Sequence, residues 1–265
     1  MENRPDRQLT SLLKQLLERG VADGVFPGAA AGIFRRLTSG NIKVFSWAGS
    51  TGYGEREQEV DQNTVFDLAS LTKPLVITLS LLTLIGEQKT TWDTLLGDHL
   101  GARIPADKKD IPLRYLVSHC SGMAPYKPFF KGFRPYCSRE GRERLLRLVA
   151  NEPLLHPPGQ DFCYSDLGFM LLGEVVEQCS SSSLDNFFRK RLSSPLGLER
   201  VLFFRPGPFR TEDSGRFAST EKCLWRGRVL RGEVHDEHCY LMGGVSGHAG
   251  LFGTVRGCWG YVWQF

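Results

Sequence analysis

The chain has 265 residues, 41% of them hydrophobic and 23% charged, so it can bury one sizeable core and need not be disordered. Lysine and arginine number 33 against 29 aspartate and glutamate, a net charge of +4 with the basic residues scattered, which gives no basis for nucleic-acid binding. We therefore expect one domain over residues 1–265 and no nucleic-acid partner.

The first 20 residues are charged and carry leucines at positions 9, 12, 13, 16 and 17, a pattern that predicts an amphipathic helix rather than a signal peptide. The longest apolar stretch after it, residues 74–85, contains threonine and serine and is too short to cross a bilayer, so we expect no transmembrane segment. The seven cysteines form an odd set without C-x-x-C spacing, which indicates reduced thiols. Together these features predict a cytoplasmic protein.

Two strand patterns come next, over residues 28–36 and 41–54, and Ser39-Gly40 between them predicts a hairpin turn. Helical patterns follow at residues 70–86, 113–117, 140–150 and 167–179. Residues 120–139 and 205–216 have the composition of loops. Because strands come first and helices follow, the order predicts an α+β fold, with an antiparallel sheet at one side and an inserted helical region.

The segment FDLASLTKPLVITLSLL places a serine and a lysine three residues apart at the start of a helix. Residues at i and i+3 share a helix face, so the side chains of Ser70 and Lys73 would be adjacent, and Pro74 suits a first turn. Burial would lower the pKa of Lys73, and its neutral amine could take the proton of the Ser70 hydroxyl. The competing interpretation is a serine helix cap followed by a lysine, and the tetrapeptide alone favours it.

A second group stands in FCYSDLGFMLLGEVVE, where Tyr164 and Asp166 precede an apolar helix. A tyrosine beside an ammonium group can pass a proton to a leaving group, as a general acid and base. The alternative makes Tyr164 a half-buried aromatic residue and Asp166 the N-cap of a helix that starts at Leu167.

Four ordered segments of this chain resemble the motifs of one superfamily, that of class C β-lactamases, family VIII esterases and D-Ala-D-Ala carboxypeptidases. FDLASLTKP resembles their nucleophile segment, and LVSHCSGM resembles their Leu-x-x-His-Thr-Ser-Gly. PPGQDFCYSDLGFMLLGEVVE resembles their Pro-Gly-x-x-Phe-x-Tyr-Ser-Asn block, and GGVSGHAGLFGT resembles their Gly-Gly-Leu-x-Ser-Thr-Ala segment. Four segments in order are far more specific than any one motif, and they span nearly the whole chain.

The resemblance implies a β-lactamase/transpeptidase-like fold and a serine hydrolase that acts through an acyl-enzyme. Carried over residue by residue, it implies that Ser70 is the nucleophile, Lys73 the base and Tyr164 the proton shuttle. Asp166, which stands where the family has asparagine, and His248 and Gly250 are then expected to bind substrate. The resemblance implies a small ester, amide or muropeptide substrate, no cofactor and no metal.

The same resemblance implies that the final strands of the family fold are missing from this chain. The family's third motif, Lys-Thr-Gly or a His/Trp-x-Gly variant, follows well after the Gly-Gly-Leu segment, whereas this sequence ends at Phe265. In the family the later region completes the oxyanion hole, and loss of one such donor costs about 100- to 1000-fold in turnover. An alternative is that His248-Ala249-Gly250 is itself the third motif.

Two rival functions follow from these features. A chain that lacks the final strands could be an inactive fragment or pseudo-enzyme of the same fold. The segment GEVHDEHCY, with His235, Asp236, His238 and Cys239, could instead serve a metal-dependent hydrolase through His235 and His238. We expect this segment to be a loop beside the pocket, and we favour an esterase or a muropeptide-type amidase.

Overall fold

Helix α1 (Arg4–Ala22) packs against a hairpin of strands β1 (Gly28–Arg35) and β2 (Ile42–Gly49). The structure is a computed structural model that describes residues 4–35, 41–54, 57–207 and 216–264. The two strands pair antiparallel, from Gly28 opposite Gly49 to Arg35 opposite Ile42. The predicted helix and hairpin are thus confirmed, and the predicted turn at Ser39-Gly40 lies outside the described residues.

The other strands form two further antiparallel sheets. Strand β7 (Leu251–Gly253) lies between β3 (Phe66–Asp67) and β4 (Leu202–Phe204), and β5 (Ser219–Cys223) pairs with β6 (Arg228–Arg231). The α+β prediction with antiparallel pairing is confirmed, although the strands in the described ranges divide into three small sheets instead of one. Strands of two to five residues carry too little alternation to reveal which distant partner they pair with.

Helices make up most of the remaining structure. After a 3₁₀ turn at Ala69–Leu71 and a π-helical turn at Lys73–Thr78, the helices are α2 (Leu79–Gly86), α3 (Leu96–Leu100), α4 (Ala106–Lys109), α5 (Leu113–Val117), α6 (Arg139–Asn151), α7 (Asp166–Ser180), α8 (Leu184–Phe188), α9 (Glu237–Leu241) and α10 (Val255–Val262). The four helical patterns of the sequence correspond to the segment ending in α2 and to α5, α6 and α7. Of the predicted loop at 120–139, residues 120–138 form a loop apart from one 3₁₀ turn, and α6 begins at residue 139. Most of the predicted loop at 205–216 lies outside the described residues.

Helix α7 is the centre of the core. Its residues 167–176 are all buried, and it contacts α2, α3, α5, α6 and α8. A helix that is apolar around its whole circumference must be enclosed by protein, which explains this position. The segment Ala69–Gly86 has the length and composition that would cross a membrane, a test that core helices also pass. Its residues Val76, Ile77, Leu81 and Leu84 are buried in the same core as α7.

The ion pairs of one arginine join α6 to α7. Arg142 forms ion pairs with Glu174 and with Glu177, the latter at 2.8 Å, and both acidic residues belong to α7. The pairing fixes α6 against the central helix, whereas Arg147 is exposed.

Candidate active site

Ser70 stands on the 3₁₀ turn between β3 and the helical segment, with its side chain exposed. The residue before it, Ala69, has a φ of 45°, a left-handed conformation that is strained for any residue with a Cβ. The carboxylate of Asp67 holds this turn, because it accepts hydrogen bonds from the backbone N–H of Ala69 at 2.8 Å and of His235 at 2.7 Å. The nucleophile predicted from the sequence is therefore presented to solvent by a constrained backbone.

Lys73 is buried, with 3% of its surface exposed, and its Nζ touches three oxygen atoms. The distances are 2.9 Å to Oγ of Ser70, 3.1 Å to the carbonyl oxygen of His248 and 2.7 Å to Oδ1 of Asp166. An ammonium group has three N–H donors, so all are used. The carboxylate of Asp166 stabilises the charged amine, an interaction that the sequence argument from desolvation alone did not include.

Asp166 is the first residue of α7, and it is not the N-cap that the alternative interpretation of the sequence expected. Ser165 caps the helix, because its Oγ accepts from the N–H of Gly168 at 3.1 Å and donates to the carbonyl of Ala124 at 2.7 Å. The carboxylate of Asp166 is thereby free of the helix end and pairs with Lys73.

Tyr164 lies at the same cleft, with 44% of its surface exposed. Nζ of Lys73 is 4.9 Å from the centre of the tyrosine ring, a cation–π arrangement. Within the described parts of the chain, the Tyr164 hydroxyl has no hydrogen-bond partner, which leaves it available to a bound molecule.

His119 is a cleft residue that belongs to the LVSHCSGM segment but was not among the predicted site residues. Its ring lies 4.3 Å from the ring of Tyr164, and its Nδ1 accepts the backbone N–H of Ser165 at 3.0 Å. Burial, with a smaller effect from the charge of Lys73, lowers the pKa of His119, so the imidazole is neutral at pH 7. The signal that could have revealed it was its place in the Leu-x-x-His segment.

The segment around His248 packs behind the cleft and contacts Lys73. Gly247 passes so close to α7 that a Cβ there would lie 2.0 Å from the carbonyl oxygen of Phe169, and Gly250 has a φ of 110°. This close approach brings the His248 carbonyl to Lys73. The His248 side chain is 1% exposed, and Nε2 lies 2.7 Å from Oδ1 of Asp236. His248 and Gly250, expected to bind substrate, thus lie beneath the cleft, where His248 contributes a backbone carbonyl.

The cleft itself has a volume of about 510 Å³, and most of its exposed lining is apolar. Its lining comprises Leu68, Ser70, Leu71, Lys73, Pro74, Thr78, Val117, His119, Tyr164 and Phe169. The structure therefore brings Ser70, Lys73 and Tyr164 together at one cavity, with Asp166 in contact with Lys73.

His235 and His238, the ligands of the metal-dependent alternative, lie in different surroundings. His235 precedes α9, is half exposed and faces Glu221 at 3.4 Å, whereas His238 lies in the first turn of α9 and points inward. Among the described residues, His238 instead shares a cluster with Asp236 and His248, whose ligand atoms all lie within 4.8 Å of one another.

The chain belongs to the beta-lactamase family, whose profile matches residues 13–258. It is 31% identical to the N-acetylmuramyl-L-alanine amidase of Bacillus subtilis strain 168 over 272 residues, which cover 91% of this chain and 59% of that protein. Other curated relatives are covered to 49% of their length. The chain thus spans about half the length of these curated relatives.

Solved structures show the same fold. EstCE1, a hydrolase with promiscuous acyltransferase activity, superposes with a TM-score of 0.76 at 24% identity, covering 98% of this chain and 73% of that one. A beta-lactamase/D-alanine carboxypeptidase from Yersinia pestis gives a TM-score of 0.72 at 19% identity, covering 97% and 68%. The predicted β-lactamase/transpeptidase-like fold is confirmed.

Proposed function

We propose that this chain is a serine hydrolase that forms an acyl-enzyme on Ser70 with an ester or amide substrate. The observation that carries the proposal is the 2.9 Å contact between Nζ of a buried lysine and Oγ of an exposed serine at the mouth of a cleft. A nucleophile and its base within hydrogen-bond reach, with the base held by further groups, is the arrangement that covalent catalysis requires. Membership of the beta-lactamase family supports the same reaction.

In the proposed reaction, the neutral amine of Lys73 takes the proton of Ser70 while Oγ attacks the carbonyl carbon of the substrate. The bond to the leaving oxygen or nitrogen then breaks, and Tyr164 delivers the proton from Lys73 to that atom. In a second step, water attacks the carbonyl carbon of the acyl-enzyme, and its proton passes through the same groups to Oγ of Ser70. The bond between Oγ and the acyl group breaks, which releases the acid and free Ser70. His119 positions Tyr164 through the contact between their rings.

The substrate class that we favour is an ester or a muropeptide-type amide. The apolar lining of the cleft suits a substrate with an apolar part beside its carbonyl group. The amidase name of the Bacillus subtilis relative supports an amide of the muropeptide type, and the hydrolase title of the EstCE1 structure agrees with an ester. The cytoplasmic location predicted from the sequence stays a prediction.

Intact mass spectrometry tests the proposal directly. Wild type and Ser70→Ala are incubated with a fluorophosphonate or a short-chain p-nitrophenyl ester, and the adduct is mapped by peptide digestion. We expect one adduct on Ser70 of the wild type and none on the variant. A well-folded wild type without an adduct would show that the protein has the family fold but no activated Ser70, as in a pseudo-enzyme.

A further inference from the structure

The cluster of Asp236, His238 and His248 adjoins the candidate active site, because the carbonyl of His248 contacts Lys73. Within this cluster, His238 has an unusual environment. His238 is 0% exposed, and neither of its ring nitrogens has a hydrogen-bond partner in the described structure. Its neighbours on one side are the rings of Tyr126, at 5.3 Å, and Phe130, at 6.0 Å. Burying a polar group without a hydrogen-bond partner is unfavourable, so an imidazole in this position requires an explanation.

We propose that this cluster binds one divalent transition-metal ion of the zinc type, through one ring nitrogen of His238, Nε2 of His248 and a carboxylate oxygen of Asp236. Imidazole nitrogen and carboxylate oxygen are a usual ligand set for Zn²⁺, and three protein ligands leave a fourth position open. The metal would bind a ring nitrogen of His238, neither of which has a hydrogen-bond partner in the described structure. This inference does not depend on the proposed acyl-enzyme chemistry.

To accept an ion, the ligand atoms must move towards one another by up to about 1.5 Å. The ligand atoms lie within 4.8 Å of one another, whereas tetrahedral ligands at zinc distances stand about 3.3 Å apart. Nε2 of His248 and Oδ1 of Asp236 are 2.7 Å apart and share a proton, which the metal replaces. The side chain of Asp236 is 23% exposed, so the cluster reaches the protein surface at this residue.

The surroundings already orient two of the ligands. Nδ1 of His248 lies 2.9 Å from Oγ of Ser246, so that Nδ1–H can donate to the hydroxyl while Nε2 faces the metal, the outer-shell arrangement common to metal-binding histidines. The backbone N–H of Cys239 donates to Oδ1 of Asp236 at 2.7 Å. The thiol of Cys239 has another partner, because it donates to the carbonyl oxygen of Ala249 at 3.2 Å.

The location gives such an ion a role at the active site. His248 would offer its ring to the metal and its backbone carbonyl to Lys73, the latter at 3.1 Å. The ion would therefore fix the segment on which the position of Lys73 depends.

Elemental analysis provides the test, with His235→Gln as a matched control for His238→Gln. Each protein is stripped with a chelator, dialysed against Zn²⁺, desalted and analysed by mass spectrometry for metal. We expect about one zinc per wild-type or His235→Gln chain, and a loss to background in His238→Gln. Ser246→Ala should weaken zinc affinity about 10- to 100-fold. A wild type without bound zinc, or equal zinc content in the two glutamine variants, would overturn the proposal.

Cobalt keeps the proposal falsifiable if His238→Gln does not fold. Wild type loaded with Co²⁺ should show visible d–d bands without the near-ultraviolet charge-transfer band of a thiolate ligand. A spectrum without d–d bands would contradict the assignment. A spectrum with the thiolate band would contradict it too, because one or more of the seven cysteines would then bind the metal.

Discussion

Nζ of Lys73 lies closer to Oδ1 of Asp166, at 2.7 Å, than to Oγ of Ser70, at 2.9 Å. The negative charge of the Asp166 carboxylate attracts the ammonium form of Lys73, and an ammonium group has no lone pair with which to take the proton of Ser70. The charge at position 166 thus opposes the activation of Ser70. The related motif has an uncharged asparagine at this position.

Asp166→Asn should therefore make Ser70 more reactive. The amide keeps the size of the side chain but removes the charge that stabilises the ammonium of Lys73. We expect the rate of fluorophosphonate labelling at pH 7 to increase severalfold. Asp166→Glu, which keeps the charge, is the control and should be labelled no faster than the wild type. An unchanged or slower rate in a folded Asp166→Asn protein would refute this account.

Tyr164→Phe tests the proton shuttle through the nature of the leaving group. Loss of a general acid should slow the hydrolysis of a simple alkyl ester by about 100- to 10,000-fold. A p-nitrophenyl ester should be affected much less, because p-nitrophenolate leaves without being protonated. Tyr136→Phe removes an equivalent hydroxyl from a tyrosine that is 60% exposed outside the cleft, and it should match the wild type on both esters. Equal losses on the two esters would point away from a proton shuttle.

Gly247→Ala should destabilise the protein, because its new Cβ would lie 2.0 Å from the carbonyl oxygen of Phe169. Forced backbone shifts of this kind cost about 1 to 3 kcal/mol in the free energy of unfolding. Gly86→Ala is the matched change, since nothing lies within 4 Å of the position of its new methyl group and the residue belongs to α2. It should stabilise by about 0.5 to 1 kcal/mol. Urea titration measures both, and similar midpoints for the two variants would disprove the close approach.

The stability of the fold should decrease as the pH falls below about 6.5, in part through His99. This half-buried imidazole contacts Oγ1 of Thr90 at 2.8 Å and Sγ of Cys179 at 3.3 Å, and burial lowers its pKa from the ordinary value of 6.5. Since the unfolded chain binds the proton more readily, the contribution of His99 is complete above pH 6.5 and is lost as the pH falls through the lower, folded pKa. His99→Gln does not titrate, so its unfolding free energy should depend less on pH in this range. Parallel pH curves for variant and wild type would exclude the effect.

Much of the site was predictable because the motifs lie on elements with strong local signals. The apolar run after Lys73 and the continuous apolar pattern of α7 predict two core helices, and each motif stands at the start of one. Their contact follows from packing, which brings Ser70, Lys73 and Tyr164 to one cleft.

What the sequence did not reveal depends on contacts between distant segments. The ion pair of Lys73 with Asp166 requires the packing of two helices, and Ser165 competes for the capping role that local pattern assigns equally well to Asp166. His238 and His248 come together through α9 and a glycine-rich turn, a contact that the spacing of His235 and His238 in the sequence does not indicate.

The hydrogen bond from Lys73 to the carbonyl of His248 joins residues 175 positions apart in the chain. Closing so long a loop costs entropy before its contacts compensate, so this bond is expected to form late in folding. Labelling at Ser70 would then follow the docking of the last segment rather than the formation of the helices. The fraction of chains labelled at Ser70, measured by mass spectrometry at successive times of refolding, would therefore report when the native topology is complete.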